Sequence, residues 1–289
     1  MATNASRYIG RCGQCDRILT AKAYRVSPQD YRCRFGRIQQ SVWQNTRVYC
    51  HCRQTFGERT SVDNQARMSR NLEDRQMNTP VTIGGIIAPD SELARKAAAL
   101  AEQAHSKALL HHVHRTWWFA EFIGKKRGMK YDRELVYLAS LLHDLGLSQD
   151  HAGDKRFEVD GADAASEFLH AHDYPKAKTD IVWDAIAFHS AADIAERREP
   201  EVALVHFGAH VDVMGLRMDE ISPQLIDDTI ALYPRLGFKR AFTEALAEVA
   251  RKKPYTAIGT GLADIGRRLV PGLEIPNVCD LLLGAPFES

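Results

Sequence analysis

Three separated segments of the sequence carry histidine and aspartate in a pattern that suits a metal site. The first spans residues 111–114 (His-His-Val-His), the second is the pair His143-Asp144, and the third contains Asp212. Neutral imidazole is a good ligand for Zn, Fe, Ni and Co, and a carboxylate also binds Mg and Mn. Together these groups could supply four protein ligands and leave positions open for water and substrate.

The pair His143-Asp144 is the sharpest of these signals because of its surroundings. It closes an apolar stretch with helical periodicity and is followed by Leu145-Gly146, so that imidazole and carboxylate can turn toward one cation. A His-Asp dipeptide alone is common by chance. The other two segments are what favour a metal site.

Helices are expected to position these residues. Beyond about residue 85 apolar residues recur at three- and four-residue spacing, which is the pattern of a helix with one buried face. We predict helices at residues 90–104, 109–127, 132–146, 160–172, 176–189, 200–216, 222–233, 237–252 and 258–268. Extended alternation is almost absent there, so the sequence predicts a compact all-α domain over residues 85–289.

The order of the ligand candidates resembles the HD superfamily of metal-dependent phosphohydrolases, whose pattern is His, then His-Asp, then a distant Asp. The resemblance implies an HD-domain helical bundle with one divalent metal ion held by His112, His143, Asp144 and Asp212. It does not distinguish Zn, Fe, Mn, Co and Ni.

The choice of His112 within residues 111–114 rests on this resemblance. Helix geometry places His111 and His114 within one turn of each other, and rotates His112 by about 100° from its neighbours in sequence. Geometry alone therefore leaves all three histidines open as the ligand.

In more detail the sequence is similar to the cyanamide-hydratase-like branch of that superfamily, over about residues 85–270. The similar segments are His112-x-x-Arg115-Thr116, His143-Asp144-Leu145-Gly146, Phe157-Glu158-x-x-Gly161-Ala162 and Ala185-Ile186-x-x-His189.

Four residues are candidates for catalytic roles. Asp144 could both ligate the metal and accept a proton from the attacking water. Arg115 could bind an anionic or polarised substrate atom, or form a salt bridge with a nearby carboxylate. Glu158 has apolar neighbours in sequence, which predicts a raised pKa and a role in proton transfer, unless it is an ordinary surface glutamate. His189 could be a substrate contact, a second-metal ligand or a support for the ligands.

These residues favour an enzyme that uses a metal-activated water on a small molecule. A phosphohydrolase is the first hypothesis, since that activity is typical of the superfamily. A cyanamide-hydratase-like lyase that adds water to a nitrile is the second. The third is a nucleic-acid-binding protein whose HD domain only binds a ligand.

The first part of the chain has a different composition. Residues 1–76 contain 14 Lys and Arg against 6 Asp and Glu, a net charge of +8, whereas the remainder has 24 against 31, a net charge of −7. We predict a Cys- and Arg-rich segment over residues 1–62 and a linker over 63–84. The alternative is a leader that precedes a true start at Met77.

Cysteines in this basic segment could hold a structural zinc ion. Cys12 and Cys15 form a Cys-x-x-Cys pair, and Cys50 and Cys52 could complete a zinc ribbon. Such a ribbon would be the part of the chain that contacts nucleic acid, because of its positive charge.

The sequence also bears on the location of the protein in the cell. It has no apolar run of the roughly 18 residues that a membrane span needs, and no apolar signal core. We therefore expect a cytoplasmic protein without membrane contacts. Nothing in the sequence indicates an oligomeric state.

Overall fold

The computed structural model describes residues 7–11, 18–22 and 81–287. Contacts between Cα atoms divide the chain into two units, Met1–Thr79 and Pro80–Ser289.

The first unit contains one antiparallel strand pair among its described residues. Strand β1 (Arg7–Arg11) pairs with strand β2 (Ile18–Lys22) so that Arg7 lies opposite Lys22. The predicted zinc ligands lie outside the described residues: Cys12, Cys15, Cys50 and Cys52. The zinc ribbon and its contact with nucleic acid therefore stay predictions.

The second unit is helical, which confirms the predicted all-α class. A short hairpin of β3 (Thr82–Ile83) and β4 (Ile86–Ile87) precedes the helices. The helices are α1 (Glu92–Ala104), α2 (Lys107–Lys126), α3 (Arg133–Leu142), α4 (Phe157–His170), α5 (Lys176–Ala187), α6 (Pro200–Met214), α7 (Pro223–Leu232), α8 (Phe238–Lys252), α9 (Gly261–Leu269) and α10 (Val278–Leu283). All but α10 correspond to predicted helices. Among the described residues, none of these helices has the length and apolar character needed to cross a membrane.

Several boundaries differ from the sequence prediction, and two of them concern the linker and the site. The hairpin starts at Thr82, inside the predicted linker, because Ile83 is buried in the main core. The predicted helix 132–146 ends already at Leu142, and a short 3₁₀ turn follows it at Leu145–Leu147. The backbone thus leaves the α-helical path at the His-Asp pair.

Local sequence explains where the site-bearing helices begin and end. The Asp132 side chain accepts hydrogen bonds from the first backbone N–H groups of α3 and so caps its N-terminus. Gly215 adopts the left-handed conformation (φ 74°) directly after α6, as glycine readily does at a helix C-terminus.

Helices α2 and α6 form the centre of the main core. Helix α6 is apolar around most of its circumference, and α2 buries Trp117 and Trp118. The two helices approach closely at Gly208, where an added Cβ atom would lie 2.1 Å from the backbone oxygen of Thr116. This close approach sets the distance between His112 on α2 and Asp212 on α6.

Replacing Gly208 with Ala is therefore expected to destabilise the protein, although alanine favours a helix over glycine by about 1 kcal/mol. The backbone of Thr116 cannot move aside cheaply, so we expect a net loss of about 1 to 3 kcal/mol in the free energy of unfolding, measured by urea denaturation. Gly261→Ala is the matched control, since a Cβ atom there meets nothing within 4 Å. Equal stability of the two variants would contradict the proposed role of Gly208.

A second, smaller core joins α8 and α9 to the start of α4. Its buried members are Phe157, Val249, Ala250, Ala257, Leu262, Ala263 and Ile275. The segment after α7 thus has apolar packing of its own and contacts the main core through α2 and the 3₁₀ turn at Leu145–Leu147.

Candidate metal centre

Three of the predicted ligands come together where α2 meets the C-terminal end of α3. The Nε2 atoms of His112 and His143 are 3.3 Å apart. Each of them lies close to Oδ2 of Asp144, at 3.5 Å and 3.4 Å respectively. All three residues are buried, and their ligand atoms lie within 4.8 Å of one another, a group that could hold a metal ion.

Hydrogen bonds at Nδ1 orient both rings so that each Nε2 can carry a lone pair. Nδ1 of His143 donates to the backbone oxygen of Ser140 (2.8 Å), and Nδ1 of His112 donates to Oδ2 of Asp212 (2.7 Å). In a neutral ring the proton at Nδ1 leaves a lone pair at Nε2. Burial lowers the pKa of His143 to about 3, so this ring is neutral at pH 7.

The surroundings of the Asp144 carboxylate indicate that this group fits a metal ion. Both of its oxygens are buried and have no hydrogen-bond partner among the described residues. A buried carboxylate without a partner is very costly, and here it faces two imidazole lone pairs. One divalent cation would be the partner of all three groups. The donor set of two nitrogens and a carboxylate suits several metals.

Asp212 lies behind His112 and not within this group. Its carboxylate accepts hydrogen bonds from His112, from Nε and a terminal nitrogen of Arg115 (2.8 and 2.7 Å), and from Arg235 (2.6 Å). Burial would raise the pKa of Asp212, but the hydrogen bonds from His112 and Arg115 lower it well below its ordinary value. In this structure Asp212 holds a ligand in place, and a direct bond from Asp212 to the metal stays a prediction.

Arg115 forms a salt bridge with Asp212, one of the two roles that the sequence left open for it. Arg115 is fully buried, and Nε and one terminal nitrogen bind Asp212. Its remaining nitrogen donates to the backbone oxygen of Tyr233 (2.9 Å). The salt bridge, which was the alternative from the sequence, is the arrangement observed.

The two other histidines of the 111–114 segment point elsewhere. Nδ1 of His111 donates to the backbone oxygen of Pro234 (2.8 Å), and the ring of His114 stacks on Tyr233 at a centroid distance of 4.6 Å. His112 is therefore the histidine of this segment that joins the metal group.

A cavity of about 530 Å³ opens onto the metal group. Its lining residues include His112, His143, Arg156, Glu158, His189, Ser190, His210, Met214, Phe242, Leu246, Leu262 and Ile265. The predicted active-site residues Glu158 and His189 thus face the same space as the metal group.

Glu158 is buried and ionised, contrary to the predicted rise of its pKa. Burial alone would raise the pKa, but hydrogen bonds from Arg156 (2.9 Å) and Ser190 (2.6 Å), together with the charge of His189, lower it below the ordinary value. The sequence neighbours of Glu158 suggested burial correctly, but Ser190 lies 32 residues away in the chain.

His189 lies just after the C-terminal end of α5, close to the metal group. Its Nδ1 donates to the backbone oxygen of Ile186 (2.7 Å), and its Nε2 lies 4.0 Å from Oδ1 of Asp144. The His189 and His143 rings are 4.8 Å apart, edge to face. This position suits a support for Asp144 or a substrate contact.

Sequence reasoning missed three residues that fix His112. Phe238 stacks on its ring at 4.6 Å, Phe242 lies at 5.6 Å, and Arg235 holds Asp212 behind it. All three follow α7. They lie far from the histidine motifs in sequence, and no spacing pattern connects them.

Residues 109–227 match the HD domain family. The matched segment contains the three residues of the metal group, and the resemblance to the HD superfamily is supported at this level. A search of curated proteins gives no match to the chain. The cyanamide-hydratase-like branch remains a prediction.

Proposed function

We propose that the protein is a divalent-metal-dependent enzyme that adds water to a small molecule. The observation that supports this most is the Asp144 carboxylate, which is buried and has no hydrogen-bond partner among the described residues. It lies beside the Nε2 atoms of His112 and His143, and these two residues line the cavity. A divalent ion bound there would lower the pKa of a water molecule toward neutrality and polarise the substrate.

The protein's own residues would orient the reactants and move protons. Asp212 and the Ser140 backbone fix the two imidazole rings, so the ligand atoms are held in place before substrate arrives. Glu158 is ionised and lines the cavity, so it can accept a proton from water or substrate.

The charges around the cavity favour an uncharged substrate over a phosphate ester. Among the described residues, Arg156 is the one Lys or Arg side chain that lines the cavity, and Glu158 already pairs with it. Burial lowers the pKa of His210 to about 4, so that ring adds no charge at pH 7. Phosphoryl groups are usually bound by several cationic donors. We therefore favour water addition to a neutral carbon centre such as a nitrile, with phosphate-ester hydrolysis as the second candidate because it is typical of the superfamily.

A substrate screen with the metal-loaded full chain tests this proposal. We expect cyanamide or a larger nitrile to be hydrated, and phosphomonoesters and cyclic nucleotides to be left intact. Phosphate release without turnover of nitriles would overturn the choice of an uncharged substrate. Metal binding without turnover of either class would overturn the enzymatic proposal and favour a ligand-binding domain.

The pH dependence of turnover is expected to respond to Arg156. Glu158 is ionised above its lowered pKa, so activity that needs its carboxylate is kept at neutral pH and is lost as the pH falls through that value. Arg156→Gln removes a group that lowers the pKa of Glu158, so the acidic limb of the kcat/KM profile should move to higher pH. Lys155→Gln is the control, because Lys155 pairs with Asp163 at the surface. An unmoved limb in Arg156→Gln would show that Glu158 does not control it.

A further inference from the structure

The cavity over the metal group is lined by two chemically different sets of residues. Its polar lining residues include His112 and His143 of the metal group, together with Glu158 and Ser190. Its apolar lining residues include four from α8 and α9, Phe242, Leu246, Leu262 and Ile265, which we call the apolar wall. Met214 lies at the edge of the cavity and is 65% exposed.

The apolar wall lies outside the segment that matches the HD family. Its four residues belong to α8 and α9, whereas the matched segment ends at residue 227. Leu262 also belongs to the smaller core, and Leu246 packs against it. The apolar wall is therefore packed into the fold, and it lies outside the segment that matches the HD family.

Aromatic packing connects this wall directly to a metal ligand. The ring of Phe242 lies 5.6 Å from the ring of His112 and 5.1 Å from Phe238, which itself stacks on His112. A group that reacts beside His112 would therefore have hydrocarbon surface next to it.

The cavity is also larger than the smallest substrate considered above needs. A volume of about 530 Å³ falls in the range of pockets that enclose small organic ligands. If cyanamide were bound, water would fill most of the remaining volume and would contact apolar side chains, which is unfavourable.

We infer that the site takes a small molecule with an uncharged reactive end and an aliphatic or aromatic hydrocarbon group, and that the apolar wall selects for this group. Ile265 and Leu246 are the specificity-determining residues. The inference rests on the proposed function for the reactive end, but the hydrocarbon group is recognised whether or not turnover occurs.

A binding experiment with unreactive probes tests the inference. We propose to titrate the metal-loaded full chain with acetamide, butanamide and hexanamide, the products expected from nitriles of increasing length. Each methylene buried on the apolar wall should tighten the Kd by about fourfold. Ile265→Asn should remove most of this gain. Leu269→Asn should keep it, because Leu269 is on the same helix, 43% exposed and not part of the cavity lining.

A second variant keeps the inference testable if Ile265→Asn does not fold. Met214→Gln changes an exposed residue at the edge of the cavity, and should weaken hexanamide more than acetamide. A Kd that is independent of chain length in the wild type would overturn the inference. An unchanged length dependence in both variants would overturn its assignment to this cavity. Length-dependent amide binding without turnover of any nitrile or phosphate ester would overturn the proposed function alone.

Discussion

Asp144→Asn is expected to abolish metal retention and turnover and, without metal, to raise the melting temperature of the protein. In the wild type the carboxylate is fully buried and neither oxygen has a hydrogen-bond partner among the described residues. Asparagine has the same shape without the charge, and its amide can donate to the Nε2 atoms of His112 and His143, which lie 3.5 and 3.4 Å from Oδ2. Removal of an unpaired buried charge should therefore stabilise the metal-free protein.

Thermal melting with and without divalent metal separates these effects. The wild type should gain about 2.7 kcal/mol of stability at a metal concentration one hundred times the Kd, because metal binds only the folded protein. Asp144→Asn should gain nothing, and its kcat/KM should fall by about 1000-fold or more, since several kcal/mol of charge stabilisation are lost. The control is Asp150→Asn at the surface. Normal activity of Asp144→Asn would rule out the metal centre.

The second large effect is expected from Asp212→Ala. This change leaves the guanidinium of Arg115 fully buried without an anion, because its pairing with the Asp212 carboxylate is lost. Breaking a buried ion pair from one side typically costs about 3 to 5 kcal/mol. We expect a loss of that size in the free energy of unfolding, measured by urea denaturation. The double variant with Arg115→Met should recover part of it, because the buried charge is then removed as well.

The metal affinity of Asp212→Asn distinguishes the two roles of this residue. If Asp212 only holds His112 in place, Asp212→Asn should weaken metal binding by about 10- to 100-fold. If Asp212 is a direct ligand, Asp212→Asn should weaken metal binding as much as Asp144→Asn does. Arg235→Gln gives a reference for the smaller effect, since Arg235 is partly exposed and binds the same carboxylate. A loss equal to that of Asp144→Asn would show that Asp212 is a ligand.

The sequence predicted the elements of this site well because helical periodicity is a local property. The positions of α2, α3 and α6 follow from residues within a few turns of each other. The choice of His112 over its neighbours needed the resemblance to a family, since helix geometry alone leaves three histidines open.

Properties that depend on distant residues could not be predicted in the same way. The sequence left a substrate contact and a salt bridge open for Arg115, and could not show that Asp212, 97 residues away, binds its guanidinium. The pKa of Glu158 was expected to rise because its neighbours in sequence are apolar. Ser190 and Arg156 reverse that direction through hydrogen bonds. Packing between helices determines these partners, and a single sequence carries little information about it.

We expect His112, His143 and Asp144 to bind one divalent metal ion. The most direct test of this expectation is an anomalous-difference electron density map, recorded at the absorption edge of the metal, from crystals of the full chain grown with that metal. We predict a peak at about 2.0 to 2.2 Å from Nε2 of both histidines and from an Asp144 oxygen, the distances usual for such ligands. A fully loaded crystal with no peak between these residues would contradict the account.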